Sequence, residues 1–158
     1  MTLYTMFVSN ESMETFDQRG ISETTVGEMR KQHIVKEGEP EPFWYSLDDS
    51  TILVNVPSEQ SFHQLLVFHW GDPPYDIKFF TKKPFVYGAE GIWNEKFIED
   101  LFHYIKLHVN PVHQVELLRF WADGVEKPLK KRRMNVATLE LKDIIALKDM
   151  HDTRVIFE

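Results

Sequence analysis

One segment, from residue 94 to about residue 108, spaces its apolar side chains as an amphipathic helix does. Six of them recur at steps of three and four residues and share one side of a helix: Phe97, Ile98, Leu101, Phe102, Ile105 and Val109. Asn94 is a good N-cap, and Asn110-Pro111 ends the segment. Polar residues, Asp100 and His103 among them, fall on the opposite side and are expected to face water.

Most other segments have the composition of short β-strands. Residues 43–47 and 51–56 flank an Asp-Asp-Ser turn and are predicted to form a hairpin. Residues 115–121 are apolar on both faces, which is typical of an interior strand. Further strand segments are predicted at 3–8, 62–70, 77–80, 85–87, 133–138 and 153–157, and weaker helices at 22–32 and 141–148. Many strands with few, grouped helices predict an α+β fold with a mainly antiparallel sheet.

Length and composition favour a single domain. A chain of 158 residues with 42% hydrophobic and 27% charged residues has the size and balance of one globular domain with its own core. Residues 36–42, Lys-Glu-Gly-Glu-Pro-Glu-Pro, have no apolar side chain and two prolines. They are predicted to form a flexible, acidic spacer inside that domain.

The net charge and the absence of cysteine limit which kinds of partner and which cellular compartment are expected. There is no cysteine, so disulfides and thiolate chemistry are excluded. The net charge of −7 disfavours binding to nucleic acid and suits docking to a basic protein. No signal-peptide pattern and no apolar run of membrane-spanning length is found, so we expect a cytoplasmic protein without a membrane partner. A homo-oligomer is compatible with the sequence.

Histidines raise the hypothesis of a small hydrolase or metal-dependent enzyme. His63 and His69 are spaced so that neither a strand nor a helix brings them to one ion. His103 follows Asp100 by three residues, which places an imidazole beside a carboxylate on a helix. His108 falls on the apolar side, where a hydrogen-bonded histidine at the edge of the core is the ordinary interpretation. His108, His103 and Asp100 are therefore the candidate catalytic residues, with no metal and no cofactor expected.

Residues 127–133 are the strongest local anomaly, since five of these seven side chains are positively charged. We interpret them as a solvated hairpin arm, because the segment follows an Asp-Gly turn and leads into a strand. Contact with an anion or a nucleic acid, and nuclear import, are the alternatives. Four positions would carry such contacts: Lys130, Lys131, Arg132 and Arg133.

Rings cluster at Phe43-Trp44-Tyr45, and interfaces are enriched in Trp and Tyr. Core packing explains such a cluster, and a partly exposed binding patch containing Trp44 and Tyr45 is the alternative. The chain has no glycine-rich phosphate loop and no nucleophile elbow. We therefore expect a non-enzymatic protein-binding module, for example an immunity-type or antitoxin-type inhibitor. The hydrolase and a nucleic-acid-associated regulator remain alternatives.

Overall fold

A computed structural model describes residues 2–158, and this part of the chain contains nine strands and four α-helices. The strands are β1 (Thr2–Ser9), β2 (Phe16–Asp17), β3 (Ser22–Thr25), β4 (Ile52–Asn55), β5 (Leu66–His69), β6 (Phe85–Glu90), β7 (Glu116–Ala122), β8 (Lys130–Met134) and β9 (Thr153–Phe157). The helices are α1 (Val26–Gln32), α2 (Ile77–Phe80), α3 (Glu95–His108) and α4 (Leu141–Leu147).

The described chain forms two compact units, one of residues 2–19 and 62–158 and the other of residues 20–61. The larger unit contains a seven-stranded sheet in the order β2-β5-β6-β1-β7-β9-β8, with α2, α3 and α4. All neighbouring strands run antiparallel except β8 and β9, which are parallel. The predicted α+β fold with a mainly antiparallel sheet is confirmed.

Helix α3 has the predicted limits. The side chain of Asn94 accepts a hydrogen bond from the backbone N–H of Phe97 at 2.9 Å, as an N-cap does. Leu101 and Ile105 are fully buried in a core that also contains Phe7 and Leu117 of the sheet. The apolar stripe of α3 therefore packs on one face of the sheet, and the prediction for this helix is confirmed.

The opposite face of the same sheet is also covered. Met6 and Leu118 pack there against Ile77 and Phe80 of α2. Strand β7 lies between β1 and β9, with alternate side chains in the two cores. The prediction that 115–121 forms an interior strand is confirmed.

Several local predictions are wrong, and long-range pairing is one reason. Residues 22–25 of the predicted helix form β3, and residues 62–63 of the predicted strand belong to a 3-10 helix, Glu59–His63, ahead of β5. Residues 43–47 form turns, and β4 pairs with β3 instead of completing a hairpin with them. Residues 77–80 form the short helix α2, because the prolines Pro73 and Pro74 start a turn in which the Pro74 carbonyl accepts a hydrogen bond from the N–H of Ile77. The strand expected at 133–138 runs instead from Lys130 to Met134, where it pairs with β9, and residues 135–138 form a loop and a turn.

Within residues 2–158, no helix combines the length and the apolar character that crossing a bilayer requires.

Candidate protein-binding surface

The unit of residues 20–61 is built on a two-stranded ribbon and one short helix. Strands β3 and β4 pair antiparallel, from Ser22 opposite Asn55 to Thr25 opposite Ile52. Thr25 then begins α1 with a capping box: its hydroxyl accepts from the N–H of Glu28, whose carboxylate accepts from the N–H of Thr25. These contacts fix the angle at which α1 leaves the ribbon.

Arg30 of α1 holds the segment that carries the aromatic residues. Its guanidinium donates to the carboxylate of Asp49 and to the backbone carbonyls of Tyr45 and Leu47, the last at 2.6 Å. It also lies over the Tyr45 ring, 5.6 Å from the centroid. Several charge-assisted hydrogen bonds from one side chain order a loop that has no strand or helix of its own.

An open groove of about 710 Å³ lies on this unit. Phe43, Ile52 and Val54 stand around it with 83%, 60% and 56% of their surfaces exposed, whereas the Trp44 ring in its wall is 8% exposed. Ile52 and Val54 share a face of β4 because side chains alternate along a strand. The rest of the wall consists of uncharged side chains, four polar and two apolar: Ser22, Thr24, Gln32, Asn55, Met29 and Leu53.

Two carboxylates lie near one side of this uncharged wall. A shallow depression beside Ile52 contains Glu23 and Glu28. Backbone and hydroxyl hydrogen bonds from Thr25 and Thr24 hold the pKa of Glu28 below its ordinary value, so this carboxylate stays ionised at neutral pH. Residues 20–61 contain eight Asp and Glu against three Lys and Arg, a net charge of −5 out of the −7 of the whole chain.

The predicted aromatic patch lies partly at this groove. Trp44 contributes to its wall and packs edge-on against His33. Tyr45 is half-buried under Arg30 and is not in the wall, while its neighbour Phe43 is the exposed ring. Sequence reasoning placed Phe43 in the ring cluster but did not name it as a binding residue. It missed Ile52 and Val54 because the predicted hairpin paired β4 with the wrong segment. The Thr25-x-x-Glu28 capping box, visible in the sequence, would have placed the start of α1 and freed Ser22–Thr25 to pair.

The candidate catalytic residues do not converge. Asp100 is 5% exposed, so the prediction that it faces water is wrong. Asp100 lies one turn before the buried Tyr104 on α3. The buried face of this helix is therefore wider than its apolar stripe and includes Asp100. Its Oδ1 accepts from Lys96 at 2.7 Å, whereas the exposed His103 lies against the Phe102 ring. The hydrolase hypothesis thus lacks the pairing of imidazole and carboxylate on which it depended.

His108 is half-buried against two rings, 5.1 Å from Tyr104 and 6.3 Å from Phe16 between centroids. This position is that of a histidine at the edge of the core. Among residues 2–158, no group of three or more His, Asp or Glu side chains is placed to hold a metal ion.

The basic segment forms an edge of the sheet rather than a hairpin arm. Lys130 to Arg133 make up most of β8, whose only partner within the described chain is β9, and all four side chains are exposed. Arg133 pairs with Glu158. Lysine and arginine on an exposed edge strand discourage pairing with another chain, which explains the charge run without a ligand.

No family model, no curated protein and no solved structure matches the chain.

Proposed function

We propose that this chain is a non-enzymatic protein-binding module whose groove on residues 20–61 takes a basic, amphipathic segment of a partner protein. One observation carries the proposal. Three large apolar side chains, Phe43, Ile52 and Val54, are more than half exposed around one uncharged groove, on a unit with a net charge of −5.

The apolar side chains support a docking role because they are grouped. Single exposed apolar residues are ordinary, whereas grouped ones mark interaction surfaces. Burying one of these side chains against a partner contributes roughly 1.5–3 kcal/mol to the free energy of binding. Burial of two or three of them therefore supplies a substantial part of that free energy. Trp44 and Met29 in the same wall add an aromatic and an adaptable surface, both favoured at interfaces.

The charge of this unit supports a basic partner. Carboxylates near the groove, such as Glu23 and Glu28, attract cations over a distance and repel an acidic surface. Electrostatic attraction of this kind raises the rate of association more than the final affinity. An inhibitor of the immunity or antitoxin type, covering a basic enzyme, is one function that this combination would serve.

Peptide selection on the full-length protein tests the proposal. A library of random peptides displayed on phage is selected in parallel on the parent protein and on the double variant Phe43→Ser/Val54→Ser. Both residues are exposed, so the double variant should fold normally. The matched control is Val112→Ser, because Val112 is also 83% exposed but lies outside residues 20–61.

We expect the parent and Val112→Ser to enrich peptides that combine Lys or Arg with spaced apolar residues. The same peptides should bind the double variant about tenfold more weakly or worse, since two exposed apolar side chains that a bound peptide would cover are lost. Enrichment of acidic peptides, equal binding to the double variant, or no enrichment on the parent would each overturn the proposal.

A further inference from the structure

Strands β1 and β6 separate at one end, and a slot opens between them. Their ladder runs from Ser9 opposite Phe85 only to Met6 opposite Gly88, whereas β1 continues along β7 as far as Thr2. The slot has a volume of about 260 Å³. Its wall contains both strand ends, three rings and one arginine: Thr2, Leu3, Tyr4, Thr5, Trp70, Ala89, Glu90, Gly91, Trp93 and Arg119.

Glycine at position 88 helps to shape this slot. A Cβ atom there would lie 2.9 Å from the ring of Trp70 and 2.5 Å from that of Phe68, closer than packed carbon atoms approach. Only glycine lets these rings lie across the strand next to the slot. Trp70 in turn packs edge-on against Tyr4 at 5.7 Å.

Arg119 is the only cationic residue in this wall, and it is 4% exposed. Its Nη1 donates to the backbone carbonyls of Leu147 and Lys148 at the C-terminal end of α4, the second at 3.0 Å. Its guanidinium carbon lies 4.1 Å from the centroid of the Trp93 ring. Its buried Nε has no hydrogen-bond partner within residues 2–158.

Capping of α4 explains only part of this arrangement. A cation at a helix C-terminus is stabilised by the last carbonyls, and Nη1 of Arg119 has that role. Burial still lowers the pKa of Arg119 to about 10, opposed by the charge of Asp149, so the group is a cation at neutral pH. A buried cation without a paired carboxylate is costly, and Nε remains unsatisfied.

We infer that the slot binds a small oxyanion, a carboxylate or phosphate group, whose charge is compensated by Arg119. Thr5, 8% exposed and opposite Arg119 in the β1–β7 ladder, lies in the same wall and offers a hydroxyl donor. The rings of Trp70 and Trp93 supply an apolar wall for the body of the ligand. Glu90 in the wall is exposed and repels polyanions, so the slot favours a compact group of low charge.

This inference is independent of the groove on residues 20–61, since every slot residue belongs to the other unit. Failure of one proposal leaves the other standing.

The test is a titration of the full-length protein with inorganic phosphate and, separately, with benzoate, at constant ionic strength set with sodium chloride. The Nε–Hε signal of Arg119 in a ¹H–¹⁵N spectrum reports on the slot directly. Arg119→Lys keeps the positive charge but removes the guanidinium N–H donors. Thr5→Val removes one hydroxyl donor and keeps Arg119. The control is Arg132→Gln, which removes one exposed positive charge from β8.

We expect a saturable shift of the Arg119 signal with at least one of the two anions. Binding, followed in the variants by tryptophan fluorescence, should fall about tenfold or more in Arg119→Lys and in Thr5→Val and stay unchanged in Arg132→Gln. Response to phosphate alone identifies a phosphate site, and response to benzoate alone identifies a carboxylate with an apolar body. If neither anion binds at tens of millimolar, or if Thr5→Val, which keeps the capping arginine, binds as the parent does, the inference is wrong.

Discussion

The burial of some residues could be predicted from the sequence, and the burial of others could not. Leu101 was predictable, because its place in a three-and-four-residue apolar pattern depends only on helix geometry. Asp100 and Arg119 were not, because a charged residue in a sequence is expected to face water. Their burial follows from which elements cover them, and that depends on contacts distant in the chain.

Replacement of Leu101 by alanine tests the packing of α3. Leu101 is fully buried, so Leu101→Ala should lower the free energy of unfolding by about 2–5 kcal/mol, through lost burial and the cavity that remains. Leu107→Ala, on the same helix but at a position 76% exposed, is the matched control and should change it by less than about 0.5 kcal/mol. Urea denaturation measures both. Equal losses in the two variants would contradict the described packing.

Replacement of Arg30 by glutamine tests what orders the segment beside the groove. Its contacts to Asp49, Tyr45 and Leu47 are partly exposed to water, so we expect a loss of about 1–2 kcal/mol in the local opening free energy. Amide hydrogen exchange in residues 43–49 should then be roughly five to thirty times faster. The neighbouring Lys31→Gln, at an exposed position, should leave exchange there unchanged. Equal exchange in the parent and Arg30→Gln would refute this role.

Among the elements, α3 was predictable from local determinants, whereas the pairing partners of β4 and β8 were not. The limits of α3 follow from Asn94 and from Asn110-Pro111, all within the segment. Strand β4 pairs with β3 across α1 and the following loop, and β8 pairs in parallel with β9 across α4. Pairing of this kind is decided by the surfaces the strands bury, which no short window of sequence contains.

One variant of strand β8 tests both the role of its positive charges at the sheet edge and the hypothesis that β8 binds nucleic acid. In the variant with Lys130, Lys131, Arg132 and Arg133 all changed to Gln, stability should barely change, because exposed charges contribute within about 0.5 kcal/mol each. We expect more self-association at high concentration, since an uncharged edge can pair with a second copy. Denaturation and sedimentation velocity measure the two effects.

The same variant should bind short DNA and RNA no better and no worse than the parent in fluorescence anisotropy at low and at moderate salt. If the parent binds at low salt, loses affinity steeply as salt rises, and the variant does not bind, β8 is a nucleic-acid interface. That outcome would move the nucleic-acid hypothesis ahead of the protein-binding one.

Across the whole molecule, charge is unevenly distributed. Residues 20–61 carry a net charge of −5, and the rest of the chain, with 17 acidic and 15 basic side chains, carries −2. The sequence showed the total charge but not its grouping beside Phe43, Ile52 and Val54, which depends on how β4 pairs. A protein-binding role therefore stays a prediction that the sequence supports only as a class, whereas the groove itself could be located only in the structure.

Chemical-shift mapping shows whether the groove on residues 20–61 is the docking site. The tightest of the selected basic peptides is added to the ¹⁵N-labelled full-length protein, and amide shifts are recorded at two salt concentrations. We expect the largest shifts at Met29, Phe43 and residues 52–55, with an affinity that falls as salt rises. Largest shifts along β8 or on the exposed side of α3, with the groove amides unmoved, would show that the peptide docks outside the groove.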